Sequence, residues 1–472
     1  MGYAEGKSDP QGGEGMLTST VAAISTPAGK GGIGIIRISG EEAMTVAGKV
    51  FTPRNRRDLS RMEGYTACLG TAHDLNGAAI DQVILLCFRG PKSYTGEDVA
   101  ELQCHGGEAV TEAVLRAVLD AGAEPAGKGE FTRRAFLNGR ISLTEAEAVM
   151  DVINAVSLDG ERAAASLAEG SLARKTEELR EKLLDVQTQI AAEIDFPEED
   201  VEEADPEALT ADICAVEKEL DELLKGYESG QKMLRGVPAA IIGSPNVGKS
   251  TLLNLVAGFD RAIVSSEAGT TRDILEERVT IGGVTLLLAD TAGIREEAGG
   301  EIEQIGISRA KQRLENSSLI LAVFDQGRPL SVDDRALIGD LKGKPVLAIL
   351  NKGDLEEKIE KKEIYDAFSH VVELTAKDPG SLRVLSDAVS DFLGTSGFDA
   401  DAPLLANERQ RGCAQRAKQA VSDAVESIRD GLTLDVCYAL LDEALGALYD
   451  LSGENASEEV INAVFDRFCV GK

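Results

Sequence analysis

The segment GSPNVGKST at 243–251 constrains the chain more than any other. It fits G-x-x-x-x-G-K-[ST], follows the apolar run VPAAIIG (237–243) and precedes a helical pattern. In such a strand–turn–helix, backbone N–H groups and the positive helix end cradle phosphates. A strand feeding this turn is covered on both faces, so it demands further apolar strands separated by helices. TLLLAD (285–290), LILAVFD (319–325) and VLAILN (346–351) meet that demand. The spacing predicts a doubly wound, mostly parallel sheet over 237–396, the arrangement of a Ras-like P-loop G domain.

Four more elements follow in order. They are GTTRD (269–273), DTAG (290–293), NKGD (351–354) and TAK (375–377). Lys249 is expected to reach the β- and γ-phosphates and Ser250 to ligate Mg²⁺. Thr271 is placed to contact Mg²⁺ and sense the γ-phosphate. Asp290 can hold Mg²⁺ through water, and Gly293 can meet the γ-phosphate. Asp354 can accept hydrogen bonds from N1 and the 2-amino group of guanine, donors that adenine lacks, so the element selects GTP. The expected GTP contacts are Asn246, Val247, Gly248, Lys249, Ser250, Thr251, Ser265, Thr270, Thr271, Asp290, Thr291, Ala292, Gly293, Asn351, Lys352, Asp354, Thr375, Ala376 and Lys377.

Hydrolysis needs an oriented water and a positive charge on the transition state. Ile294, directly after DTAG, is apolar and cannot orient water. The segment REEAGGEIE (295–303) offers carboxylates, each either solvated or catalytic. Asn246 is either ordinary loop chemistry or a ligand for a monovalent cation. A K⁺ at that place would supply the charge that an arginine finger gives elsewhere.

Outside 237–396 the texture differs. Residues 1–15 are Gly-rich and polar and read as a disordered tail. TVAAIS (20–25), GIIRIS (34–39) and VILLCF (83–88) read as strands, and 108–121 as a helix, giving an α+β domain over 16–140. Residues 141–236 are long helix, broken at DFPEEDVEEADP (195–206), and helical periodicity returns over 397–472. The fold class expected is therefore multidomain, α/β with all-α parts. The net charge of −32 excludes a globally basic nucleic-acid binder. Half of it sits in 141–236, with 25 acidic and nine basic residues, while 1–140 is nearly neutral. Seven scattered cysteines without C-x-x-C predict reduced thiols in a cytoplasmic protein, with neither a disulfide framework nor a zinc site. No apolar run approaches the roughly 20 residues of a membrane helix, so no membrane contact is expected.

Several segments carry a resemblance. TPAGKGGIGIIRISG (26–40), PKSYTGEDVAELQCHGG (91–107), GEFTRRAFLNGRISLTEAEAVMDVINA (129–155), IDFPEED (194–200) and FCVGK (468–472) resemble the MnmE (TrmE) family of tRNA-modification GTPases. The resemblance implies an N-terminal tetrahydrofolate-binding and dimerisation domain (16–140). It also implies a bipartite helical domain (141–236 and 397–472) and an inserted G domain (237–396). It further implies a homodimer, with hydrolysis activated by potassium-dependent contact of the G domains. An FAD-containing partner, MnmG (GidA), would complete a heterotetramer. Together they would add an aminomethyl or carboxymethylaminomethyl group to C5 of a tRNA wobble uridine. The one-carbon unit would come from the 5-formyl or 5,10-methylene form of tetrahydrofolate.

By position, the resemblance assigns Glu303 as the acid orienting water. Asn246, Ser265, Glu267 and Thr270 fall on the potassium site, and Ser250 and Thr271 on the Mg²⁺ site. Arg37, Glu101, Arg140 and Lys472 fall on folate contacts, and Cys469 on a cysteine tied to modification activity. Lys249, Thr271 and Gly293 join Glu303 as the catalytic set. GKGGIG (29–34) fits a dinucleotide pattern, but a strand follows it where a helix is required. His105 lacks companions for a metal. Arg54, Arg56, Arg57 and Arg61 are either tRNA-phosphate contacts or a solvated loop, since no aromatic residue interleaves with them. A ribosome-assembly GTPase would add a KH-type module or a second G domain, and neither follows 397. A vestigial nucleotide scaffold conflicts with intact Lys249, Asp290 and Asp354.

Overall fold

The computed structural model describes residues 19–56, 58–195, 206–257, 276–289, 315 and 317–472. The chain divides into two compact units, residues 1–146 with 455–472, and residues 147–454.

In the first unit a seven-stranded sheet is built from β1 (Val21–Ile24), β2 (Ile33–Ser39), β3 (Phe51–Pro53), β4 (Thr66–His73), β5 (Ala79–Phe88), β6 (Val99–His105) and β7 (Glu124–Pro125). Its order is β3-β4-β5-β6-β2-β1-β7, antiparallel except between β1 and β7. Helices α1 (Ala43–Val50) and α2 (Glu108–Asp120) cover one face, and α3 (Glu130–Leu137) follows. The two-residue period of β2 decides what faces where. Ile36 and Ile38 enter the core with Val46, Leu85, Leu102, Val114 and Val118. Arg37, between them, emerges on the opposite face.

The last residues of the chain belong to this unit. The sequence reading assigns 397–472 to the second helical part, but 455–472 pack with the N-terminal residues. A terminal helix, Glu458–Phe465, brings Phe465 against Phe136 and Phe468. Beyond it, Val470 pairs antiparallel with Lys128, and the Gly129 N–H donates to the Cys469 carbonyl at 3.2 Å. Gly471 is left-handed at φ 96°, and a Cβ there would run into the Ile24 carbonyl. Aromatic packing and a strand pairing thus draw the tail away from the helical periodicity that precedes it.

The second unit begins within α4 (Leu143–Asn154) and continues through α5 (Leu158–Ala168), α6 (Ser171–Asp195), α7 (Pro206–Lys225) and α8 (Tyr227–Arg235). An α/β part follows. It contains β8 (Val237–Ile242), α9 (Lys249–Ala257), β9 (Glu276–Ile281), β10 (Val284–Ala289), β11 (Leu319–Asp325), α10 (Val332–Asp340), β12 (Val346–Asn351), α11 (Lys361–Ala367), β13 (His370–Glu373) and α12 (Ser381–Leu393). Then α13 (Glu408–Arg429) and α14 (Leu434–Ser452) return to helix. The sheet order is β13-β12-β11-β8-β10-β9, parallel except for β9 against β10. Every residue of β11 and β12 is buried, as a strand covered on both faces requires. The two helical stretches share one core. Leu183, Ile190, Val216 and Leu220 from before the α/β part meet Val421, Ala424, Leu441 and Leu448 from after it. Among the described residues no helix is long and apolar enough to cross a membrane.

A polar cluster anchors this helical core. Glu147 accepts from the Arg409 Nε and Nη2 at 2.8 and 2.7 Å and from the Gln410 amide at 2.7 Å. Near it, burial raises the Asp151 carboxyl to about 6, with Glu147 adding to the rise and Arg235 opposing it. A carboxyl raised above its unfolded value of 3.8 removes stability as pH climbs from about 4 through about 6. Asp151→Asn is therefore expected to stabilise this unit at pH 8 by about 2 kcal/mol and to change little near pH 4. Thermal denaturation at the two pH values checks this; a variant less stable than wild type at pH 8 would mean that Arg235 holds the charged form.

Candidate functional site

The parallel order of β8, β11 and β12 sets their C-terminal ends side by side, where ligands of open α/β sheets bind. Three loops meet there. Residues 243–248 lead into α9 and carry three positive-φ backbones, Gly243 at 155°, Asn246 at 62° and Gly248 at 103°. Asparagine tolerates the left-handed region better than most side chains. At Gly248 a Cβ would strike the Asn351 amide, so only glycine lets the loop come this close.

Asn351 joins the loops. It ends β12 with 2% of its surface exposed. Its Nδ2 donates to the Val247 carbonyl at 2.8 Å, and its Oδ1 accepts from the Ala376 N–H at 2.9 Å. Lys352, itself left-handed at φ 64°, donates to the Asn246 carbonyl at 2.7 Å and to Asp325 Oδ2 at 2.6 Å. Lys249 Nζ donates to the Gly243 and Ser244 carbonyls at 2.9 Å each, closing the loop around its ammonium. A cavity of about 190 Å³ opens between the three loops. Gly248, Thr251, Asn351, Lys352, Asp354, Leu355, Thr375, Ala376 and Lys377 line it. Its chemistry suits a planar base: a carboxylate from Asp354, backbone from 375–377 and the Lys352 stem. The loop itself, turning through Asn246 and Gly248 into the N-terminus of α9 and closed on Lys249, fits phosphates.

The structure adds a residue that sequence reasoning missed. Asp334, in the first turn of α10, is 2% exposed and accepts from Ser244 Oγ of the phosphate loop at 2.6 Å. Burial alone would raise its carboxyl, but donors from Ser244, Ser331 and Arg328 hold it down to about 2. The legible signal was S-x-x-D, a capping box at 331–334. Nothing local says that the same carboxylate also holds the loop ninety residues earlier. Among the expected residues, Ser265, Glu267, Thr270, Thr271, Asp290, Thr291, Ala292, Gly293 and Glu303 lie outside the described residues, as do Arg57 and the tail 1–15.

A second group lies in the first unit. Arg37 and Glu101 are directly opposed on β2 and β6, with Nε 2.8 Å from Oε1. The Arg37 guanidinium sits 5.4 Å from the Phe131 ring centre and 5.8 Å from that of Tyr94. The Phe131 N–H donates to the Lys472 carbonyl at 3.0 Å, so the chain terminus reaches the same place. Arg140 is exposed and lies against Gly96, two residues from Tyr94. Arg37, Glu101 and the Lys472 backbone therefore converge through Phe131, while Arg140 flanks them. Beneath the group Arg134, 1% exposed, bonds Glu130, Glu97 and the Ser19 carbonyl at 2.8 to 3.2 Å. Sequence reasoning missed Arg134; its signal was the Glu130–Arg134 spacing on one helix face.

Three further features of the sequence have a definite place in the fold. β2 starts at Ile33, so GKGGIG runs into a strand and offers no helix end to a dinucleotide. His105 Nδ1 pairs with Asp81 at 2.8 Å, and no cluster of metal-ligating side chains occurs among the described residues. Cys469 is exposed and the described cysteines are all free.

Comparison with known proteins adds identity to this geometry. Residues 20–140 match the family described as GTP-binding protein TrmE N-terminus, and residues 143–469 match the MnmE helical domain. A tRNA modification GTPase MnmE of Thermoanaerobacter pseudethanolicus is 38% identical over 462 residues, 97% of this chain and 100% of that protein. Proteins of the same description from Moorella thermoacetica and Symbiobacterium thermophilum are each 40% identical, again over 97% of this chain and 100% of theirs. Among solved structures, the FeoB G-domain from Methanococcus jannaschii covers 34% of this chain and 98% of its own at 24% identity with a TM-score of 0.24, too slight a likeness to carry argument. Matched from end to end by these relatives, with both family domains in order, the chain belongs to the family of the tRNA modification GTPase MnmE.

Proposed function

We propose that this chain is a cytoplasmic, potassium-activated GTPase that works with an FAD-containing partner, MnmG (GidA), on tRNA. Together they add an aminomethyl or carboxymethylaminomethyl group to C5 of a wobble uridine, using a one-carbon unit of tetrahydrofolate. That the chain is a GTP hydrolase acting in tRNA modification follows from its family. The observation that carries the nucleotide half is Asn351, whose two hydrogen bonds hold the phosphate loop and the 375–377 loop around one cavity. In this reading Asp354 recognises guanine, Lys249 leaves its loop carbonyls for the β- and γ-phosphates, and Ser250 faces Mg²⁺. Mg²⁺ and K⁺ would supply positive charge as negative charge builds on the phosphate oxygens. Asn246 would turn its side chain to K⁺ while Lys352 fixes its carbonyl. Thr271 and Glu303 complete the set by resemblance.

The folate half rests on Arg37, Glu101, Arg140 and the terminal Lys472. A folate carries carboxylates and a flat ring with donors and acceptors. Arg37 between two aromatic rings and beside a carboxylate suits such a ligand. We assign a homodimer to the working form and a heterotetramer to the complex with MnmG.

Nucleoside analysis of tRNA from a strain lacking the gene tests the whole reading. Wobble uridines are expected to lose their C5 group and regain it when the gene is returned; unchanged uridines sink the proposal. GTP hydrolysis is expected to run at least about tenfold faster in KCl than in NaCl at equal ionic strength, and equal rates would remove potassium from the mechanism. Calorimetry with 5-formyltetrahydrofolate should show binding to wild type and a loss of at least about tenfold in affinity for Arg37→Ala. Equal affinity would take Arg37 out of the folate site.

A further inference from the structure

The loop between β3 and β4 concentrates arginine in a chain of net charge −32. Arg54 and Arg56 are exposed, and among the described residues neither makes an ion pair. Arg61 meets Asp58 only at 3.5 Å, and 88% of its side chain is exposed. About half of the other arginines in the described structure are tied to carboxylates, as Arg89, Arg134, Arg328 and Arg409 are at 2.5 to 3.1 Å. The loop is also compact. Arg54 N–H donates to the Leu69 carbonyl at one end, and β4 begins at Thr66 at the other. Three residues of strand separate these points, about 10 Å.

The loop is held firmly. Met62 is buried in the core, and Arg89 donates to the Met62 carbonyl at 3.2 Å and the Ser60 carbonyl at 3.0 Å. Asp58, one of its two described carboxylates, is exposed and spends one oxygen on the Ser60 N–H and hydroxyl at 3.0 and 2.7 Å. Beside the arginines stands the aromatic residue that the linear pattern does not show. Tyr65 is 70% exposed and sits in the left-handed region at φ 59°. A bulky side chain there is costly and persists only when its surroundings impose it. Here the Tyr65 N–H donates to the Cys87 carbonyl at 2.7 Å, and the ring stands edge-on to Phe88 at 5.5 Å. The result is a fixed, solvent-facing aromatic ring at one end of a short loop that carries three exposed guanidiniums.

We propose that this loop is a contact surface for RNA, with Arg54, Arg56 and Arg61 on backbone phosphates and Tyr65 against an unstacked base. Phosphate contacts give affinity and its salt dependence, and an aromatic face receives a splayed base. An acidic protein would match the arginines but leaves the exposed, imposed ring without a role. The inference rests on the tRNA reading above and gives it a place on the chain.

The test is binding of an unmodified tRNA transcript with a wobble uridine to the full-length protein over a series of salt concentrations. Arg54→Glu, Arg56→Glu and Arg61→Glu combined should weaken binding at least about tenfold and flatten the log–log salt slope by about 2. Tyr65→Ala should weaken it about fivefold or more, while Tyr65→Phe binds as wild type. GTP hydrolysis and thermal unfolding of all variants should match wild type, which together report that both units are folded. A control of equal net charge, Lys218→Glu with Lys342→Glu and Arg429→Glu, should bind nearly as wild type. Unchanged binding by the arginine variant, or an equal loss in the control, overturns the proposal. So does a wild type that does not bind the transcript, whereas the wobble-uridine assay alone decides the tRNA reading.

Discussion

The α/β part depends on one buried amide. Asn351 has a donor and an acceptor only a few ångströms apart, and it spends both on loops far away in sequence. Parallel β12 and β8 bring those loops to the same sheet edge, but adjacency alone would leave the Val247 carbonyl and the Ala376 N–H buried and unpaired. Each such orphan costs about 1–3 kcal/mol. A carboxylate at 351 could not donate to Val247, and an aliphatic side chain could satisfy neither group. Around this point the other supports are single-purpose. Asp334 restrains Ser244, and Lys352 restrains Asn246 through Asp325. The phosphate loop is thus fixed at Ser244, Asn246 and Val247, from α10 and from the end of β12. A loop in this state needs little rearrangement before it receives an anion, which is the physical content of preorganisation.

Much of this was legible because it is local. A run such as LILAVFD says that both faces of a strand are covered, and the alternation around Arg37 says which face that residue takes. Glycine at 248 announces a backbone that no side chain permits. What the sequence could not show are pairings chosen by tertiary packing. Asp334 reads as a helix cap, and it is one; its second bond, to Ser244, depends on where α10 lies. Arg134 reads as one of several arginines on a short helix, yet it is buried under Glu97 and Glu130. The tail at 455–472 carries helical periodicity like the residues before it. Phe465 and Phe468, with the pairing of Val470 on Lys128, decide which core it joins.

Net charge shows the same distinction. The acidic excess of 141–236 is a property of helix surface, but it is not simply solvated. Glu219 on α7 accepts from Lys175 and Lys182 of α6 at 2.6 Å each, and Asp221 accepts from Lys418 of α13 at 2.5 Å. These pairs at the helix surface, most of them part-buried, order neighbouring helices modestly, since water still reaches and screens them. Their number matters more than their strength: about half of the described arginines carry a carboxylate partner.

The arginines differ in what their partners leave them free to do. Arg134 and Arg409 are enclosed with their carboxylates, and removing either would strand a buried charge at a cost of about 3–5 kcal/mol. Such residues belong to the fold, and a ligand cannot draw on them. Arg37 is intermediate: Glu101 holds one edge of its guanidinium, two rings flank its faces, and donors remain for an anion. Arg54, Arg56 and Arg61 have no such obligations. Gathered on one short loop, with no described carboxylate nearer than the 3.5 Å between Arg61 and Asp58, these three guanidiniums suit a polyanion arriving from outside.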